Sequence, residues 1–128
     1  MIFKTRIHIN NFFIIPQYII KNYVKDNNMV KWVINKNEKK IKLIFMTGNK
    51  NKQDDYKTKE CTILYRVIHT NMHISIPIDV AKFLKCKKYD FIEWNINNNE
   101  INIKCSKNIK IKDISGLFTL EEKEQCLK

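Results

Sequence analysis

The chain carries the same segment twice, and an internal repeat constrains a fold more tightly than any single motif. Phe13-Ile14-Ile15-Pro16-Gln17-Tyr18-Ile19-Ile20-Lys21 leads into a stretch ending Val30-Lys31-Trp32-Val33-Ile34-Asn35. Ile74-Ser75-Ile76-Pro77-Ile78-Asp79-Val80-Ala81-Lys82 leads into one ending Ile92-Glu93-Trp94-Asn95-Ile96-Asn97. A shift of 61 positions superposes Ile7 on Ile68, His8 on His69, Asn10 on Asn71, Ile15 on Ile76, Pro16 on Pro77 and Lys21 on Lys82. One extra residue near Lys85 changes the shift to 62, and Lys25/Lys87, Trp32/Trp94, Ile34/Ile96, Asn35/Asn97, Asn37/Asn99 and Glu38/Glu100 then stay in step. Chance supplies Ile and Asn matches in a chain rich in both, but it does not readily place Pro, Lys and Trp in one order at one spacing. A unit of roughly 45 residues buries too little surface to be comfortably stable alone, so the two are expected to share one core.

Charge narrows the class of partner. The formal net charge is +11, and it is uneven: residues 1–46 hold nine Lys/Arg against Asp26 and Glu38, residues 61–105 only six against Asp79, Asp90, Glu93 and Glu100. Such a balance attracts polyanions through counterion release. The plainer alternative is a Lys-decorated solvated surface, and part of the Asn, Ile and Lys excess reflects base composition. With only two Gly in the chain, a glycine-rich phosphate loop is nearly excluded, and no paired carboxylates or Ser/His/Asp grouping stands out. Cys61, Cys86, Cys105 and Cys126 form no C-x-x-C pair, and His8, His69 and His73 add no metal-ligand spacing. These features predict reduced core cysteines, no metal, no cofactor, no small-molecule substrate and no enzyme. No apolar run reaches the length of a signal or membrane segment, so the expected location is the cytoplasm.

Each repeat reads as strand, turn, strand, short helix, strand, turn, strand. Lys4, Arg6 and His8 alternate with Phe3, Thr5, Ile7 and Ile9, the period of a strand. Asn10-Asn11 supplies a tight turn, since Asn tolerates positive φ. Phe12–Ile15 returns, and Pro16 suits the first turn of a helix with Ile19, Ile20 and Tyr23 on one face. Val30, Trp32 and Ile34, then Ile41, Leu43 and Phe45, are the predicted inward positions. Their second-copy equivalents are Ile92, Trp94 and Ile96, then Ile101, Ile103 and Cys105, after a helix over 77–85. Expected units are repeat one at 1–46, a polar linker at 47–60, repeat two at 61–105 and a tail at 106–128. In that tail a strand-like Ile109–Ile114 precedes a helix, Leu120–Leu127, with Thr119 and Glu122 as capping box.

The order β-β-α-β-β, with Ile-Pro ending the strand before the helix, resembles the swapped-hairpin AbrB/SpoVT/MazE family. Ile76-Pro77-Ile78-Asp79-Val80-Ala81-Lys82-Phe83-Leu84-Lys85-Cys86-Lys87-Lys88-Tyr89-Asp90-Phe91-Ile92-Glu93 follows the family run "IP-x-x-h-R/K-x-x-L-G-h-K-x-G-D-x-h-E" almost position for position. Asp90 and Ile76-Pro77 are its most specific members. The two copies cover residues 2–46 and 62–105. The resemblance implies an α+β fold in which the hairpins of two units cross into one interlocked barrel, here within one chain, presenting basic residues to double-stranded DNA. It departs from the family where Gly-Arg usually precedes the Ile-Pro strand: Asn11-Phe12 and Asn71-Met72 stand there instead.

The DNA-binding candidates are Lys4, Arg6, His8, Asn10, Asn11, Lys21 and Lys25, with Arg66, Lys82 and Lys85 as a weaker second set diluted by Asp79 and Asp90. Trp32 and Trp94 are expected as paired core residues. Outward positions of repeat one are apolar (Phe12, Ile14, Met29, Val33, Ile44) where repeat two has His73, Ser75, Phe91, Asn95 and Lys104. Phe12, Ile14, Val33 and Ile44 therefore form a candidate interface for a homodimer or protein partner, unless the tail covers them. A transcriptional regulator is the leading expectation. A MazE-like antitoxin or adaptor, and a structural subunit of a nucleoprotein assembly, are the others.

Overall fold

The computed structural model describes residues 1–49 and 54–107, and the strand and helix expected within 108–128 lie outside them. Described are β1 (Ile2–Arg6), β2 (Phe12–Ile14), α1 (Gln17–Ile19), β3 (Met29–Asn35), β4 (Lys40–Met46), β5 (Tyr56–Lys57), β6 (Cys61–Val67), β7 (His73–Ser75), α2 (Ile78–Leu84), β8 (Phe91–Asn97) and β9 (Glu100–Ser106). The fold is mainly antiparallel sheet with few helices. Seven strands form one sheet in the order β1-β8-β9-β4-β3-β6-β5, and β2 pairs with β7 in a separate ribbon.

The pairing runs across the repeats. β1 lies on β8, β6 lies on β3, and β2 on β7, so each first strand joins the other copy's third strand. The registers obey the repeat: Phe3↔Trp94 has its mate in Trp32↔Leu64, and Ile2↔Asn95 in Val33↔Ile63. Phe13↔Ile74, repeat equivalents of one another, pair at the centre of the ribbon. β4 and β9 meet at Lys42↔Asn102 and join the two halves.

The expected closed barrel is not what forms. Among the described residues the sheet is open, with β1 and β5 as its edges. Closure needs the outer side of β6 to take up β1, but Tyr56–Lys57 already pairs there, opposite Ile63 and Thr62. The stretch read as polar linker thus contributes a strand. The repeat alignment also changes after Asn97. Asn35–Lys40 spans a four-residue loop, whereas Asn97 and Glu100 pair directly across Asn98-Asn99, whose φ values of 52° and 63° suit a two-residue I′ turn. Glu38 is therefore a loop residue and Glu100 the first of β9.

Period-two alternation sets the core. Val30, Trp32, Ile34, Ile41, Leu43, Leu64, Ile92, Trp94, Ile101 and Ile103 are buried on the inner face of the sheet, while Phe45, Ile96 and Cys105 are half-buried at its ends. From the ribbon, the Phe13 ring stands edge-on to both indoles, 6.0 Å from Trp32 and 5.4 Å from Trp94. Such pairs add about 0.5–1.5 kcal/mol beyond area burial. The predicted first helix is irregular. Pro16, at φ −59°, opens it, but after Ile19 the chain widens into a π-helical turn, Ile20–Val24, closed by the Lys25 amide donating to the Ile20 carbonyl at 3.1 Å. The extra residue brings Val24 into the core beside Ile19. α2 is regular: Asp79 lies in its first turn, where negative charge suits the helix dipole, and Lys85 ends it at φ 56°.

Candidate nucleic-acid interface

Residues of β1 alternate between two environments. Phe3 faces inward and stacks on Tyr18 at 5.4 Å, so α1 and the π-helical turn pack on that side. Lys4 and Arg6 leave the strand on the opposite side and are exposed. Lys4 stands opposite Glu93, and the Arg6 guanidinium lies 5.1 Å from the Phe91 ring centre, within cation–π reach. Asn10 and Asn11 are exposed in the β1–β2 turn. Asn11 takes φ 58°, and its carbonyl accepts the Ile76 amide, which fixes the turn against the second copy.

The structure divides the remaining candidates. Lys21 and Lys25 are exposed on the helical segment, on the side of β1 away from Lys4 and Arg6. Lys82 and Lys85 are exposed on and after α2. Arg66 is engaged within the protein: its Nη1 donates to both carboxylate oxygens of Asp55, at 2.9 and 3.1 Å, and to the Tyr65 carbonyl at 2.7 Å. The acids expected to dilute repeat two's charge are also occupied. Asp79 bonds Lys57 at 2.9 Å. Asp90 is 6% exposed, accepts the Lys87 amide at 2.9 Å and bonds Lys107 at 3.1 Å, so this most specific residue of the motif anchors a turn.

Three histidines gather at one corner, an arrangement the sequence did not suggest. His8 and His73 both stack on the Phe12 ring, at 4.9 and 4.8 Å. His69 bridges to His73 through the backbone and lies 3.3 Å from Ser75 Oγ through its Nε2. The signal that could have found it is the repeat itself, which aligns His8 with His69 and Phe12 with His73. Among the described residues, no group of three or more His, Cys, Asp or Glu is placed to hold a metal ion. Burial foremost pushes the Cys86 and Cys105 thiols up, which keeps both protonated in the neutral range.

The candidate partner interface separates into two places. Val33 and Ile44 lie on the outer face of the sheet, Val33 opposite Ile63, which faces Tyr56. Phe12 and Ile14 lie on the ribbon, where Phe12 is covered by the two histidine rings and Ile14 is 44% exposed. Met29, read as an outward position, is fully buried because it closes the end of β3 between Met46 and Val67. No helix among the described residues is long and apolar enough to cross a membrane. No family model, curated protein or solved structure matches this chain.

Proposed function

We propose that this chain is a DNA-binding transcriptional regulator of the AbrB-like class, built from two tandem swapped-hairpin units and acting without catalysis or cofactor. The observation that carries the reading is the crossed pairing, in which β1 joins β8, β6 joins β3 and the second strands join each other. That exchange is what the resemblance requires of two units, and it explains why neither repeat forms a sheet of its own. The contact surface is the outer face of β1 with the turn that follows: Lys4 and Arg6 for phosphates, Arg6, Asn10 and Asn11 for base edges, and His8 beside them. Lys21, Lys25, Lys82 and Lys85 supply surrounding positive potential.

A gel shift with the DNA upstream of its own gene, at two salt concentrations, tests this. Replacing Lys4, Arg6 and Lys21 with Ala should weaken binding and flatten its salt dependence by up to roughly 0.9 in slope per lost phosphate contact. The matching change at Arg66, Lys82 and Lys85 should cost less, because Arg66 is already held by Asp55. Unchanged binding in both triple variants rejects this surface. The second reading, a protein-binding adaptor of the MazE-like kind, draws on the apolar outer face at Val33, Ile63 and Ile44, the last 40% exposed.

A further inference from the structure

The two first strands are repeat equivalents, yet their outer edges differ. On β6 the backbone groups of Cys61, Ile63 and Tyr65 point away from β3, and all three are occupied. Thr58 bonds Cys61 through its amide and side chain, Tyr56 pairs with Ile63, and Asp55 Oδ1 accepts the Tyr65 amide at 3.1 Å. On β1 the ladder to β8 uses odd residues: Met1 bonds Ile96, and Ile7 bonds Asp90 and Tyr89. The amides and carbonyls of Ile2, Lys4 and Arg6 therefore point to the other side, where no strand lies among the described residues. These three are the repeat equivalents of Ile63, Tyr65 and Val67. An open edge of this kind is a template for a further strand.

Two observations state what that strand carries. The molecule shows how its own sister edge is filled, by an extended Asp-Tyr-Lys stretch whose carboxylate takes an edge amide and a neighbouring cation. The row of side chains inward from the β1 edge alternates in sign: Lys4 faces Glu93, and Glu93 faces Lys104. Opposite charges across strands stabilise and like charges destabilise, so the next place outward from Lys4 suits a carboxylate. A second copy pairing antiparallel about Lys4 would set Lys4 against Lys4.

We propose that the outer edge of β1 is a docking site for an extended acidic peptide segment of a partner protein, added as a further strand with a carboxylate opposite Lys4. Backbone bonds to Ile2, Lys4 and Arg6 supply the affinity, and Lys4 and Arg6 select for acid. The surface does not rest on the DNA reading, although both use these two side chains.

The test titrates the full chain with a short blocked peptide alternating Glu and Val, and with a Lys/Val control, following backbone amides by NMR. The acidic peptide should bind and shift the amides of Ile2, Lys4 and Arg6, while the control should not. Lys4→Pro removes an edge N–H that the β8 ladder does not use, a substitution edge strands tolerate, and should reduce affinity by about tenfold or more. Lys4→Glu, which keeps the backbone intact, should weaken the acidic peptide and improve the control. No binding, shifts centred on another edge, or Lys4→Pro binding as well as the parent overturns the proposal. So does slow amide exchange at Ile2, Lys4 and Arg6 in the free chain, since the edge would then be filled by a second copy or by the chain itself.

Discussion

The two repeats share a skeleton and differ in how they finish it. Both place a tryptophan, fully buried, at the same point of the third strand, and both indoles meet one Phe13 ring. Trp94 donates its N–H to Thr5 Oγ1 at 2.9 Å. Trp32 Nε1 is buried with no acceptor among the described residues. The cause is one substitution between the copies: the equivalent of Thr5 is Arg66, whose side chain turns to Asp55. The same Asp55 closes the edge of β6, whereas no strand among the described residues pairs with the edge of β1. The first strand of repeat two is thus more completely bonded at its edge, through Asp55, whereas the first strand of repeat one satisfies the facing indole, through Thr5 where the other copy has Arg66.

The largest expected effect tests the shared part. Trp32→Ala and Trp94→Ala should each destabilise the chain by about 3–5 kcal/mol in urea unfolding, as large core aromatics do. A loss below about 1 kcal/mol at either site would show that the two indoles do not anchor one core. The next effect separates the copies. Thr5→Val strands the Trp94 N–H and should cost about 1–3 kcal/mol, while Trp32→Phe, which removes an N–H that has no partner among the described residues, should cost clearly less than Trp94→Phe. Equal costs for the two Phe variants would mean that the Thr5 bond contributes nothing.

The smallest effect concerns the edges. Burial opposes ionisation of Asp55, but the Arg66 guanidinium and the Tyr65 amide outweigh it and hold its carboxyl below the usual value of 3.8. A carboxyl with a depressed folded value contributes stability that is present above its unfolded value and is lost as pH falls through the folded one. Protection of the Tyr65 amide against hydrogen exchange should accordingly persist at neutral pH and fade below about pH 3.8. Asp55→Asn should weaken it at neutral pH, with the β8 ladder unaffected. Protection independent of both pH and Asp55 would remove the carboxylate from the edge.

Much of the inner face was legible, because burial follows alternation: Val30-Trp32-Ile34 and Ile92-Trp94 announce themselves by period two. The helix after Pro77 was legible from Pro at its start and from its place in the repeat. The strand partners were not legible in the residues, since pairing across 91 positions, as in Phe3↔Trp94, leaves no local trace. Tyr56–Lys57 looked like linker because an edge strand two residues long buries nothing that composition could register. Met29 was misread as outward because alternation does not know that a strand end is covered from both sides. Of the candidate interface, the exposure of Lys4, Arg6, Asn10 and Asn11 followed from pattern and turn chemistry. The withdrawal of Arg66 into a pair with Asp55 did not, because that partner lies in a segment with no periodicity.

The crossing of the two repeats is most directly tested by strand-specific NOEs in the intact chain. Antiparallel non-hydrogen-bonded pairs bring Hα atoms together, so Lys4–Glu93 and Val33–Ile63 Hα contacts should both appear, with Phe13 ring protons close to Trp32 and to Trp94. Hα contacts from Lys4 to the Met29–Asn35 strand of its own repeat, with none to Glu93, would contradict the account.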